Sequence, residues 1–233
     1  MATRVSTAKL TLAHPGATRR AIRHLKRTDP ILGKLITQVG PCGYQIRPDG
    51  AHFDHLVRAI VYQQLSGKAA ATIHARVQAL YGGRAPTPAE LAGTPAARLR
   101  RAGLSRQKLG YLKDLARRAA TGRLPLDTLT ALPDEAVIAA LTAVRGVGVW
   151  TAQMFMMFRL GRLDVLPVLD LGIQKGMRHT FGLRQLPKPA HMERIAAGWR
   201  PYRSVACWYL WRALERPKPA TGVPASAGRR RRP

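Results

Sequence analysis

The chain has 233 residues, 46% of them hydrophobic, which is enough to bury the core of one or two compact domains without covalent staples. Its two cysteines, Cys42 and Cys207, are too few for a disulfide framework, a four-thiolate iron–sulfur cluster or a four-cysteine zinc site, and no apolar run approaches the roughly 20 residues that cross a bilayer. Lys and Arg number 39 against 12 Asp and Glu, a net charge of +27, and residues 51–216 alone hold 25 basic and 10 acidic side chains, so the folded body itself calls for a polyanionic partner. Charge alone fits DNA, the ribosome or an anionic membrane surface.

Apolar positions recur every three or four residues, with no alternation long enough for a sheet and no tandem repeat, so the expected fold is all-α. Residues 1–16 are basic and free of acids; a flexible tail is expected, with a transit segment as the alternative. A basic helix follows over 17–39, closed by Pro30, Pro41 and the Gly40 to Gly43 cluster, and Arg47 to Ala51 reads as a turn. Further helices are predicted over 53–64, 66–81, 88–101, 105–121, 133–143, 148–160, 170–181, 190–198 and 201–215, with short Gly or Pro breaks that suit a compact helical array over 17–216. From Pro217 the composition is Pro, Ala, Gly and then Arg229 to Arg232, a disordered basic tail over 217–233.

Within that array, Leu141 to Phe155 reads as a helix end, a turn at Gly146-Val147-Gly148 and a new helix start, a hairpin over 141–160. Two glycines permit positive φ and leave no side chains in the way. Backbone N–H groups of Gly146, Val147 and Gly148, with those of the next helix's first turn through Thr151, can then converge on an anion. A phosphodiester is the obvious candidate beside so many cations; an ordinary αα-hairpin is the alternative for G-x-G alone. Next, Gly161 to Gly176 holds an apolar, strand-like run with one proline that leads to Asp170 at a helix start. Asp164 and Asp170 are the only acids between 136 and 192. A carboxylate at a helix N-terminus can serve as a plain cap; among cations it is also suited to stabilising developing positive charge or orienting water, and poorly suited to donating a proton.

The pattern L-x-x-V-x-G-V-G-x-W-T-A across the hairpin resembles the helix-hairpin-helix DNA glycosylase superfamily, and GRLDVLPVLDLGIQKG resembles the V-x-P-x-D-D-L-G segment of its 3-methyladenine DNA glycosylase II branch. The likeness runs from Phe53 to Leu214. It implies two helical lobes around an active cleft, in the compact form without an N-terminal sheet subdomain. It implies a monomer that binds duplex DNA, not a membrane, in the cytoplasm at the nucleoid or in a eukaryotic nucleus. The expected reaction is release of alkylated bases such as 3-methyladenine or 7-methylguanine, flipped from the duplex, by hydrolysis of the N-glycosidic bond.

Asp170 falls on the family's catalytic aspartate, where a carboxylate beside the sugar opposes the positive charge of an oxocarbenium-like transition state. Leu169 departs from the pattern where a second aspartate is common, and Leu171 stands where some members carry an aromatic. Gln63-Gln64-Leu65-Ser66 matches the wedge-bearing turn, with Gln64 or Leu65 entering the vacated stack. Trp150 and Trp211 match walls of the base pocket, Met154 stands where relatives can carry a stacking aromatic, and the open, weakly aromatic pocket this implies suits varied lesions. The carbonyls of Thr142, Val144 and Val147 match those that hold a sodium or potassium ion, and no other cofactor, iron–sulfur cluster or catalytic metal is expected.

Trp150 also occupies the place of the lysine nucleophile of bifunctional relatives, so no Schiff base is expected there. His52 and His55 lack a convincing ligand pattern, and the run Met154, Met156, Met157 reads mostly as core. Two rival readings are a non-catalytic DNA-binding hairpin protein and a glycosylase/lyase for oxidised bases that uses another amine, such as Lys175 or Lys68.

Overall fold

A computed structural model describes residues 12, 16–47 and 49–215. Among them twelve α-helices and two 3-10 turns form the whole regular structure, with no strand. Helices α1 (Ala17–Thr28), α2 (Pro30–Val39), α10 (Leu171–Thr180), α11 (Pro189–Ile195) and α12 (Arg203–Glu215) pack together as one lobe, built from both ends of the chain. The middle lobe holds α3 (His52–Tyr62), α4 (Gly67–Ala79), α5 (Pro88–Gly93), α6 (Ala96–Arg101), α7 (Arg106–Ala120), α8 (Asp134–Thr142) and α9 (Val149–Phe158). One continuous apolar core runs through both lobes, and no described helix is long and apolar enough to cross a membrane.

Several predicted boundaries move, each for a local reason. The single helix expected over 17–39 is two: Asp29 accepts the Leu32 N–H at 2.9 Å and Pro30 takes the first helical position, so a cap and a proline start a new helix where the sequence had suggested only an end. Residues 88–101 split likewise, because Thr94 and Pro95 adopt extended geometry between α5 and α6. The strand-like run before Asp170 is irregular. Its backbone is met by α12 rather than by a neighbouring strand: Ser204 Oγ accepts the Val165 N–H at 2.9 Å and donates to the Arg162 carbonyl at 2.7 Å, while Arg203 and Arg200 grip Asp164. Leu12, assigned to a flexible tail, donates its N–H to the Gly161 carbonyl at 2.9 Å and packs on the core; the rest of that segment but Gly16, and all of 217–233, lie outside the described residues.

Two glycines set how closely α10 meets α12. A Cβ on Gly176 would stand 2.5 Å from the Leu210 carbonyl oxygen, and one on Gly172 would stand 2.9 Å from both Asp170 Oδ1 and the Trp211 indole. Small residues one turn apart therefore bring α12, with Trp211, against the start of α10, where Asp170 sits.

Candidate active site

The hairpin turn between α8 and α9 is clamped from three sides. Gly146 has φ +80°, and a Cβ there would overlap the Tyr111 ring at 2.1 Å, so both its conformation and its space belong to glycine. Arg145 donates its N–H to Asp114 Oδ2 at 2.9 Å, and the Gln63 side-chain amide donates to the Gly146 carbonyl at 2.8 Å. Burial works against charge on Asp114, but the Arg145 N–H and the Arg118 guanidinium outweigh it and hold the carboxyl below its ordinary range. The second glycine differs from the first: the φ of Gly148 is −89°, ordinary for any residue, and open space surrounds its Cβ direction. Gly148 instead begins α9 without any side-chain cap, so the first-turn N–H groups through Thr151 are offered outward. The Thr151 side chain itself is buried, while Val147 and Val144 pack inward. The Val144 carbonyl accepts the Val147 N–H at 3.1 Å.

Asp170 lies just beyond α9, as the N-cap of α10. It is 9% exposed, and three donors converge on it: the Ile173 N–H at 2.7 Å and the Trp211 indole at 3.0 Å meet Oδ1, and the Trp150 indole at 2.7 Å meets Oδ2. The capping role is real, yet it uses one contact of three. All three contacts find the carboxyl as an acceptor. Asp164, the other acid of the segment, is consumed by Arg200 and Arg203. Around Asp170 the surface is unusually apolar for so cationic a chain: Leu169, Leu171, Val149 and Trp150 are all exposed.

Trp150 also walls a cleft of about 870 Å³ between the turn after α3 and helices α7 and α9. Met154, Phe155 and Phe158 line its apolar side, and Phe158 stacks on Trp211 with ring centroids 5.9 Å apart. Met156 and Met157 are core, so the methionine run divides between core and site. Trp199 is fully buried, while Trp208 packs on Tyr209 and Arg212. Gln64 lines the cleft and holds a left-handed φ of +54°, while Leu65 stands exposed beside it.

Several cleft residues had no signal in the sequence. Arg58 lies over the Tyr62 ring at 4.1 Å, and Arg159 donates to His52 Nδ1 at 2.9 Å and to the carbonyls of Arg47, Asp49 and Gly50. His55 bonds the Asp49 carbonyl at 2.8 Å, so both histidines of the pair serve that loop. Among the described residues no group of three or more His, Cys, Asp or Glu is placed to hold a metal ion. Lys108 lines the cleft, donates to the Val61 carbonyl at 2.7 Å, and is drawn below its ordinary pKa by burial; Lys68 and Lys175 do not line it.

The HhH-GPD superfamily of base excision DNA repair proteins matches residues 57–201. The alkylbase DNA glycosidase-like protein mag2 of Schizosaccharomyces pombe is 31% identical over 196 residues, 83% of this chain and 92% of that one. The 3-methyladenine DNA glycosylase Mag1 of the same yeast, solved with abasic DNA, is 32% identical with a TM-score of 0.72, covering 83% of this chain and 95% of Mag1. A DNA-3-methyladenine glycosidase from Bacillus halodurans is 36% identical with a TM-score of 0.76, covering 88% of this chain and 91% of that structure. An 8-oxoguanine glycosylase/lyase from Clostridium acetobutylicum, at 20% identity and a TM-score of 0.66, shares the fold.

Proposed function

We propose that this chain, which belongs to the HhH-GPD superfamily of base excision DNA repair proteins, is a monofunctional DNA glycosylase that flips alkylated bases out of duplex DNA and hydrolyses their N-glycosidic bonds. The observation that carries the reading is the Asp170 carboxylate, buried, held by three N–H donors and bonded to Trp150, which walls the cleft. As the bond to the base breaks, positive charge grows at the sugar carbon, and a fixed carboxylate next to it lowers the barrier. Bases already made cationic by alkylation need no proton to leave, so they should leave fastest beside such a carboxylate, 3-methyladenine and 7-methylguanine among them.

The remaining residues take supporting roles. Backbone N–H groups of Gly146, Gly148 and the first turn of α9 through Thr151 grip one phosphate, the Val147 N–H being given to the Val144 carbonyl, and the carbonyls of Thr142, Val144 and Val147 offer hard oxygen ligands to a sodium or potassium ion that would add positive charge there. The Val144 oxygen keeps one lone pair for such an ion, having given the other to Val147. Leu65 fills the gap left in the duplex, and Gln64, on the cleft side of the same turn, faces the extruded nucleotide. Trp150 and Met154 line the cleft that would take the base, while Leu171 and Trp211 lie beside Asp170, outside that lining. Such an enzyme acts at the nucleoid, or in the nucleus of a eukaryotic cell.

The test is release of free base from duplexes bearing methylated, deaminated or oxidised bases, resolved with and without alkali. Free alkylated base with an intact abasic strand is the expected result. Strand nicking without alkali, trapped by borohydride and abolished by Lys108→Met, would favour the lyase reading, since Lys108 is the cleft-lining amine among the described residues.

A further inference from the structure

The geometry points to the Trp150 indole N–H as the group that orients the Asp170 carboxylate and ties its position to the phosphate grip, an inference that rests on Asp170 being the catalytic carboxylate. The two carboxylate oxygens are held unequally. Oδ1 accepts the Ile173 amide at 2.7 Å and the Trp211 indole at 3.0 Å, both from the lobe that carries Asp170 itself. Oδ2 accepts the Trp150 indole at 2.7 Å, from the other lobe. Trp150 therefore fixes the plane of the carboxylate relative to the hairpin.

Its place in α9 gives that contact a second meaning. Trp150 is the second residue of the helix, so its backbone N–H belongs to the uncapped first turn while its side-chain N–H holds Asp170. A phosphate seated on that turn fixes the position of the indole, and the indole fixes the carboxylate. Core packing does not explain the residue, because Trp150 is 45% exposed while the carboxylate it holds is 9% exposed.

The chemistry of the donor matters as well. A cationic side chain here would offset the negative charge of Asp170 just where positive charge must develop on the sugar. A neutral N–H donor orients the carboxylate and leaves its charge intact. Trp150 is thus a positioning residue in addition to a wall of the cleft.

The experiment compares the full-length protein with three variants: Trp150→Phe, Trp150 replaced by 3-benzothienylalanine, which keeps the bicyclic face and swaps N–H for sulfur, and Trp211→Phe. Single-turnover release of 7-methylguanine should slow about tenfold or more in both Trp150 variants, the scale of a lost hydrogen bond to a charged group. Affinity for a duplex carrying an uncleavable abasic-site analogue should stay within about twofold, since the phosphate grip uses backbone. Trp211→Phe should cost less, because Oδ1 retains the Ile173 amide. In ¹⁵N spectra, the Trp150 indole resonance should shift in Asp170→Asn.

Full activity with 3-benzothienylalanine would show that the ring face, not the N–H, carries the effect and would overturn the inference. So would a Trp150 indole resonance indifferent to Asp170→Asn. Wild-type activity in Asp170→Asn would instead remove Asp170 from catalysis, a separate failure.

Discussion

The hairpin turn and the carboxylate cradle meet at one residue, Trp150, and are built on opposite rules. At the turn, α9 begins at a glycine with no side-chain cap, so its first-turn N–H groups face outward, while Asp114, Gln63 and the Val144 carbonyl fix the loop that precedes them. At Asp170 three N–H donors meet the two carboxylate oxygens, two on Oδ1 and one on Oδ2. An open set of donors binds whatever phosphate arrives, independent of sequence. A carboxylate held from three directions is fixed in place, and a fixed charge is what a transition state with growing positive charge rewards. On the proposed function, binding and chemistry fall to regions that share a helix turn and differ in how their polar groups are held.

The largest expected effect breaks the cradle. Asp170→Asn should slow base release by at least about a hundredfold while leaving duplex binding intact or tighter, because it removes charge felt only in the transition state. Single-turnover rates and fluorescence-anisotropy titrations on the same preparation separate the two. Weaker binding with near-normal release would invert the assignment.

The next effect breaks the turn, and the two glycines should part company. Gly146→Ala puts a Cβ into the Tyr111 ring at φ +80°, so it should lose roughly 2 kcal/mol or more of stability and weaken binding to every DNA sequence alike. Gly148→Ala has room and an ordinary φ, so its melting temperature should match the wild type. Any loss of DNA affinity in Gly148→Ala then measures how near the phosphate comes. Equal melting temperatures for both variants would contradict the Tyr111 contact.

A smaller effect reaches the cradle from behind. Gly176→Ala would push α12 away from α10 by forcing a Cβ against the Leu210 carbonyl, and Trp211 rides on α12. Stability should fall by about 1–3 kcal/mol, with a loss of base release that exceeds any loss of DNA binding. Denaturant unfolding alongside the two activity assays checks this; binding lost in step with catalysis would mean that the lobes, not the cradle, had moved.

What the sequence made legible divides along the same line. The turn and Asp170 lie within local patterns, a glycine pair between helical runs and an acid at a helix start, where spacing translates directly into geometry, while Trp150 was legible through the family resemblance. The supports do not. Asp114 reaches Arg145 from 31 residues away, Gln63 reaches Gly146 from 83, and Arg159 reaches His52 from 107, each across helices whose relative placement no local period encodes. Asp29-Pro30 was legible but misread, since a proline after an acid starts a helix as readily as it ends one. Of the two glycines whose freedom of φ the sequence offers, Gly146 uses it and Gly148 does not.

The smallest expected effect concerns Asp114, the charged group that shapes the turn. Its carboxyl is held below its ordinary range, because the Arg145 N–H and Arg118 outweigh the burial that opposes them. A depressed carboxylate binds fewer protons folded than unfolded, so its contribution is fully present above the unfolded value near pH 4 and is lost as pH falls through the folded one. Asp114→Asn should therefore be less stable than the wild type by a constant amount above about pH 5, and the gap should narrow below about pH 4. His52, His55 and His74 also titrate below their ordinary values, mainly through burial, and they lower stability as pH drops below about 6.5. That loss is common to both proteins and cancels in the difference. Melting temperatures of the pair from pH 3 to 8 isolate the carboxylate, and a gap that widens in acid would mean that Asp114 is not holding the turn by its charge.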